Sequence, residues 1–285
     1  MLSDLQQPVP ESKLSLKVTK LSNNVVNAYR FGSLLPLSDD DLKCYWKFSE
    51  LSGTIYEASE SSVALGTSAD ISMTGGTYDV TGTPSDIGNA VLFDGTDDYG
   101  VSGSSLTQFS FGYSTDALWS LAFWLKVKSL SANEFFMNTS YTEGPSPVDD
   151  AVGNIWARFE NTNRMLFHIA RGVDNTRVLS FQTSDNYVPD FTNWYFYCAS
   201  FDYNASSPQF SLKRDNANEE TATKTGSGAV SPSTSASFPL NWGRRDASPA
   251  YYGNFEVCEV SLWNKIVSDD DQTLLYNGGN GREIY

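Results

Sequence analysis

Between Asn254 and Gly281 the chain reads NFEVCEVSLWNKIVSDDDQTLLYNGGNG, and no other stretch restricts the fold so much. From Phe255 to Trp263 it alternates. Cys258, Val260 and Leu262 fall on one face, and Glu259 and Ser261 on the other. A period of two is the signature of a strand with one buried face. At Ser268 the pattern changes. Asp269, Asp270 and Asp271 precede Leu274, Leu275 and Tyr276. Ser268 is thus a helix N-cap, and the three carboxylates sit at the positive end of the helix dipole. Gly278 and Gly279 stop the helix. A sheet strand therefore feeds one short helix.

The strand signal recurs at short intervals through the rest of the chain. Cys44, Trp46 and Phe48 share one face, with Tyr45 and Lys47 on the other. Val91–Phe93 leads into a turn at Asp94–Gly95. Trp119–Val127, WSLAFWLKV, is the dense apolar run of a central strand buried on both sides. Strands follow at Ile155–Glu160, Met165–Arg171, Arg177–Gln182 and Trp194–Asp202. Gln209–Lys213 is expected to pair with Glu220–Lys224 across a turn at Asp215–Asn216, and Phe238–Gly243 is a strand end. Residues 57–86 are rich in Ser, Thr and Gly, which marks mostly loop with short edge strands, and the polar 138–153 and the Ser/Gly/Thr/Pro-rich 225–237 are loops. Many short strands, regular turns and one late helix predict an all-β protein, an antiparallel two-sheet jelly-roll sandwich over residues 39–285.

Residues 1–38 differ from this body. Four basic residues, Lys13, Lys17, Lys20 and Arg30, face two acidic ones, Asp4 and Glu11. The segment carries +2, which leaves −17 of the total −15 on the remainder. It reads either as a leader or as an arm or small hairpin whose positive face docks on an acidic partner such as a neighbouring copy. A body this acidic is unsuited to nucleic acid, which is held by clustered Lys and Arg. Cys44, Cys198 and Cys258 lie far apart inside strand-like alternation, which predicts buried small hydrophobes and neither a disulfide framework nor a zinc site. The first ten residues lack the positive region and apolar core of a secretory signal, and no apolar run reaches the roughly 20 residues that span a bilayer. The expectation is synthesis in a cytoplasm without membrane insertion.

Four segments together resemble a laminin-G-like domain of the concanavalin-A-like lectin-glucanase superfamily, over residues 40–281. They are Leu42–Phe48 with Ser52–Gly53, Ile87–Tyr99, Asn193–Tyr197 with Phe201–Tyr203, and the closing Glu259–Lys265 strand with Leu275–Gly279. The resemblance implies the concanavalin-A-like form of the sandwich. It leaves function open, since that fold hosts lectins, hydrolases, adhesion modules and virion proteins.

Glucanases of that superfamily carry E-x-D-x-x-E on one strand, with two carboxylates on one face at the glycosidic bond. Here Glu256-Val257-Cys258-Glu259 has Cys258 in the place of the aspartate, and no third acid follows. The lone histidine, His168, sits mid-strand and reads as structural. No nucleophile elbow or phosphate-cradling loop occurs. No enzymatic activity is expected. In pentraxins calcium is held just before the last strand, but here that segment contains Arg244 and Arg245 where oxygen donors belong. Asp94, Asp97 and Asp98 are the remaining candidate for a cation such as calcium, against the plainer reading of turn chemistry. No other cofactor is implied.

Sugars are gripped by aromatic faces and planar polar groups. Trp156 and Arg158 share one strand face, and Trp242, Arg244, Arg245, Tyr251 and Tyr252 crowd the approach to the last strand. Such a surface suits a glycan or a surface protein, because Tyr, Trp and Arg are enriched at both. The functional expectation is a non-catalytic, lectin-like structural or adhesion protein. The foremost setting is a homo-oligomeric bacteriophage virion component, a capsid decoration or tail fibre, anchored to other subunits through residues 1–38. A stand-alone carbohydrate-binding module at a cell surface or outside the cell is the alternative, and a divergent glycoside hydrolase is a third.

Overall fold

The computed structural model describes residues 41–59, 64–102, 111, 116–130, 134–138, 141–142, 155–160, 162–169, 179–206, 209–216, 218–220, 223–224, 240–247 and 251–284. The expected arm at 1–38 and the loops at 143–153 and 225–237 lie outside the described residues. Trp156 and His168 are described by strand position alone.

Two large antiparallel sheets face each other. The first runs, in spatial order, β14 (Asn218–Glu220), β13 (Phe210–Arg214), β12 (Tyr195–Asp202), β6 (Leu118–Val127), β19 (Asn254–Trp263), β4 (Ala90–Asp94) and β3 (Thr77–Val80). β1 (Leu42–Trp46) also pairs with β19. The second runs β15 (Thr223–Lys224), β11 (Leu179–Gln182), β10 (Arg164–Ile169), β9 (Ile155–Glu160), β7 (Glu134–Asn138), β16 (Leu240–Trp242), β5 (Tyr99–Ser102) and β2 (Ile71–Thr74). A small third sheet joins β18 (Tyr251–Tyr252), β17 (Arg244–Ala247) and β8 (Tyr141–Thr142), the last pair being parallel. One helix, α1 (Asp269–Tyr276), follows β19. This is the expected two-sheet sandwich with a late helix.

The core between the sheets is aromatic. Phe123 stacks on Phe136 at 4.7 Å and on Tyr197 at 5.6 Å. Phe255 meets Phe93 at 5.0 Å and Phe136 at 5.3 Å. Phe210 lies 4.9 Å from both Phe167 and Phe181. Each such pair adds about 0.5–1.5 kcal/mol beyond the apolar area it buries. The three cysteines are free and buried, as expected.

The apolar run of β6 is explained by cover on both sides. Its odd-numbered residues enter the core. On its outer face Trp124 contacts Phe196 at 5.5 Å and the α1 residue Tyr276 at 6.0 Å. Ser120 Oγ lies 2.9 Å from Ser200 Oγ and accepts the Val267 amide at 3.0 Å. The helix is capped as its sequence predicts, with Asp271 N–H donating to Ser268 Oγ at 3.1 Å. At its other end Asn277, rather than a glycine, takes the first left-handed position, and Gly278 follows at φ 62°. Among the described residues no helix is long and apolar enough to cross a membrane.

Two expectations need correction. The alternation in β19 is broken. Cys258 pairs with Trp124 and Ser261 with Ala122, so three residues of β19 advance against two of β6. This bulge puts Cys258 and Ser261 on the same outer face and turns Glu259 to φ 52°. It also lets one edge of β19 serve two partners, β4 over Asn254–Val257 and β1 over Val260–Trp263. The second correction concerns residues 220–224. Glu220 pairs with Leu212 in the first sheet, but Thr223 and Lys224 pair with Gln182 and Phe181 in the second. β14 and β15 each end their sheet, so Glu220 and Thr223 belong to different sheets.

Gly243 is the hinge between core and surface. It follows Trp242, whose side chain enters the core, and precedes Arg244, whose side chain does not. Its φ is 72°, and a Cβ there would lie 2.4 Å from the Phe93 ring. Gly243→Ala is therefore expected to cost about 1–2 kcal/mol for the left-handed backbone alone, and more for the clash. Urea denaturation checks this through the midpoint.

Candidate functional site

The outer face of the second sheet gathers residues that lie far apart in sequence. Two rows of cross-strand neighbours form it. The first is Phe135, Arg158, Leu166 and Gln182, across β7, β9, β10 and β11. The second is Val101, Asn241, Asn138, Trp156, His168 and Ser180, from β5 to β11. A bulge at Phe136 keeps both rows in phase, because it sends the Phe136 ring into the core while Phe135 and Asn138 remain on the outer face.

The small sheet lies over β7 and completes the face. Gly243 N–H donates to Phe136 O at 2.9 Å, and Gly253 N–H to Gly243 O at 2.8 Å. Gly253 passes so near β7 that a Cβ would lie 2.6 Å from Phe135 O. These glycines let the hairpin settle onto the sheet. Tyr251 then packs on the Phe135–Leu166 cluster. The Arg245 guanidinium lies 5.8 Å from the Tyr251 ring and 6.0 Å from that of Phe135. Arg244 stacks on Tyr99, 3.3 Å from its ring centre, and its Nε is 3.4 Å from Asn241 Oδ1. Tyr252 faces Arg244 across the hairpin.

Arg158, Arg244 and Arg245 thus share one face of a strongly acidic body. Arg245 is nearly buried and belongs to the floor, while Arg158 and Arg244 are half-exposed. Glu160 accepts from Arg158 Nη2 and from Gln182 Nε2, each at 2.8 Å, which fixes the Arg158 side of the face. The strip from β9 to β5 crosses three strand spacings, about 14 Å.

Arg158, Arg244, Tyr251 and Tyr252 therefore come to the same side of the second sheet, with Arg245 buried among them and Trp156 placed there by strand register alone. Trp242 does not belong to that face. It is 0% exposed and packs in the core against Trp46 at 5.2 Å, and against Phe48 and Phe136 at 5.6 Å each. The strand period decides this, since Asn241 on one side of it and Trp242 on the other cannot both face outward. Sequence reasoning missed Tyr99, and it missed Phe135, Asn138 and Asn241, which lie buried beneath the face. Only strand register reveals them.

The acidic trio does come together, with one oxygen from each of Asp94, Asp97 and Asp98 within 4.8 Å of the others. Three of their six carboxyl oxygens accept backbone N–H groups. Asp98 accepts from Gly76 N at 2.6 Å and from Asp94 N at 3.0 Å, and Asp94 Oδ1 accepts from Thr96 N at 2.7 Å. These bonds are the turn chemistry of Asp94 and Asp98. Glu256 and Glu259 lie on the other sheet. Glu256 is paired with Lys128 at 2.8 Å and Lys126 at 3.3 Å. Glu259 is buried beside Tyr45, and burial above all pushes its carboxyl up to about 8.

No family model and no curated protein matches the chain. Solved structures do. A Trypanosoma rangeli sialidase in complex with sialic acid aligns at TM-score 0.52 and 13% identity, over 85% of this chain and 34% of the sialidase. The binding domain of botulinum neurotoxin serotype D aligns at TM-score 0.57 and 12% identity, over 84% of this chain and 52% of that one. The chain thus spans about a third of the first and half of the second. Likeness at such identity shows the fold alone.

Proposed function

We propose that this chain is a non-catalytic recognition protein that holds an acidic saccharide on the outer face of its second sheet. The carrying observation is the convergence of Arg158 and Arg244 with Tyr99 and Tyr251, over a buried floor made by Phe135 and Arg245. Aromatic faces stack on sugar rings, and guanidinium groups bind carboxylate or sulfate through paired charge-assisted hydrogen bonds. On a body of net charge −17 this cluster is where an anion is admitted. Two of the similar folds point the same way: one is a sialidase solved with sialic acid, which carries a carboxylate, and the other is named a binding domain. Placement among laminin-G-like domains belongs to this proposal, as does display on a virion surface with residues 1–38 as the anchor. The opposite charges of arm and body support that anchor.

Titration with matched neutral and acidic oligosaccharides tests the reading. Binding of the acidic member is expected to exceed that of the neutral one by at least about tenfold, and to weaken as salt screens the arginines. Equal binding of both, or none of either, would overturn it. Release of free sugar during the titration would show a catalyst instead.

A further inference from the structure

On the side of the molecule away from the arginine face, the chain returns after α1 and closes over the β19 bulge. Glu259 sits at the bulge with its left-handed backbone, 5% exposed, its N–H donating to Lys47 O at 3.1 Å. One carboxyl oxygen, Oε2, accepts from the Tyr45 hydroxyl, and the other, Oε1, is buried without a hydrogen-bond partner. The same hydroxyl accepts the Ile284 N–H at 3.1 Å. One phenol oxygen therefore joins the bulge to the 282–284 segment. Glu283 reaches across to Lys47 at 2.8 Å. A narrow crevice with no room for a water molecule adjoins them, lined by Tyr45, Trp124, Phe196, Glu259, Arg282 and Ile284, among others.

We infer that the 282–284 segment is a pH-sensitive strap, shut over Glu259 when that carboxyl is protonated and released as it ionises. A buried carboxylate with one oxygen unpartnered is costly, whereas the neutral acid is tolerated. The charged and titratable neighbours do not offset this. The hydrogen bond from Tyr45 and the charge of Lys47 favour ionisation, Glu283 and Glu50 oppose it, and burial outweighs them all. Tyr45 lies on β1, while Cys258 and Glu256 lie on the same strand as Glu259, and Arg282 lines the crevice wall. β6, β12 and α1 supply only the uncharged Trp124, Phe196 and Leu275, with Tyr276 stacked on Trp124. Opening the strap admits water to the carboxyl and returns it towards its ordinary value of 4.5, from about 8 when closed. The direction follows. A group whose acid form is favoured in the closed state gives that state its full support below about 4.5, and the support is lost as pH rises towards about 8. The strap is therefore tight in acid and loose in alkali, and it answers across the range in which cells and their compartments differ.

Hydrogen exchange of the 277–284 peptide in the full chain tests this, with Glu259→Gln as the permanently neutral form. Dividing the wild-type exchange rate by that of the Glu259→Gln variant at each pH removes the base catalysis common to both. The ratio is expected to rise by up to about tenfold per pH unit between about pH 5 and 8, and to level off above. A ratio that stays constant across that range would overturn the strap. Should the variant not fold, the wild-type peptide is compared with one from β12, and that ratio is expected to rise in the same way. A flat ratio contradicts the proposal there too.

Discussion

Replacing Trp242 by alanine is expected to remove about 3–5 kcal/mol of stability, a large share of the roughly 5–15 kcal/mol that holds a domain folded. The indole touches Trp46, Phe48 and Phe136 at once, so its loss opens a cavity where both sheets and β1 meet. Close-packed neighbours cannot collapse into a void of that size. The midpoint of urea denaturation should fall sharply, and Trp242→Phe, which keeps a ring in the space, should lose much less. The opposite result, full stability with loss of ligand binding, would return Trp242 to the surface role that its arginine neighbours suggest in the sequence.

The largest effect on binding is expected from Arg244→Ala combined with Arg158→Ala. Each charge-assisted hydrogen bond to an anion contributes about 1.5–3 kcal/mol, so each single variant should weaken binding of an acidic saccharide by about tenfold to a hundredfold. Arg158 lies on β9 of the second sheet and Arg244 on β17 of the small sheet, where it stacks on Tyr99. Their effects should be close to additive if each holds a separate part of the ligand. Neither side chain is fully buried, so the melting temperature should move little, which separates a binding role from a structural one. Arg245 is a poorer choice, since it packs under Tyr251 and above Phe135 and its removal would disturb the floor.

Much of the scaffold was legible in the sequence because local chemistry determined it. Ser268 announced the helix through its own capping bond, the WSLAFWLKV run announced a strand covered on both faces, and three scattered cysteines announced buried thiols. What escaped was register. The β19 bulge adds one residue without changing composition, so simple alternation carried Glu259 to an open face when it is turned towards Tyr45. Trp242 reads as part of an aromatic–arginine surface until the left-handed Gly243 is seen to separate it from Arg244. The candidate face was legible in halves. Trp156 with Arg158 and the Arg244–Tyr252 cluster each stood out, but that β7 lies between them, with Phe135 and Asn138 buried beneath the face, is a property of strand order that no local pattern records.

The account rests on one surface being the binding face, and a footprint of an acidic oligosaccharide on the isotopically labelled full chain tests that most directly. Backbone and side-chain resonances of Tyr99, Arg158, Arg244 and Tyr251 are expected to shift together and to saturate at one ligand concentration, while those of Asp94–Asp98 and of the α1 side stay still. Shifts confined to the Asp94–Asp98 turn, or to the first sheet around Glu256, would contradict it.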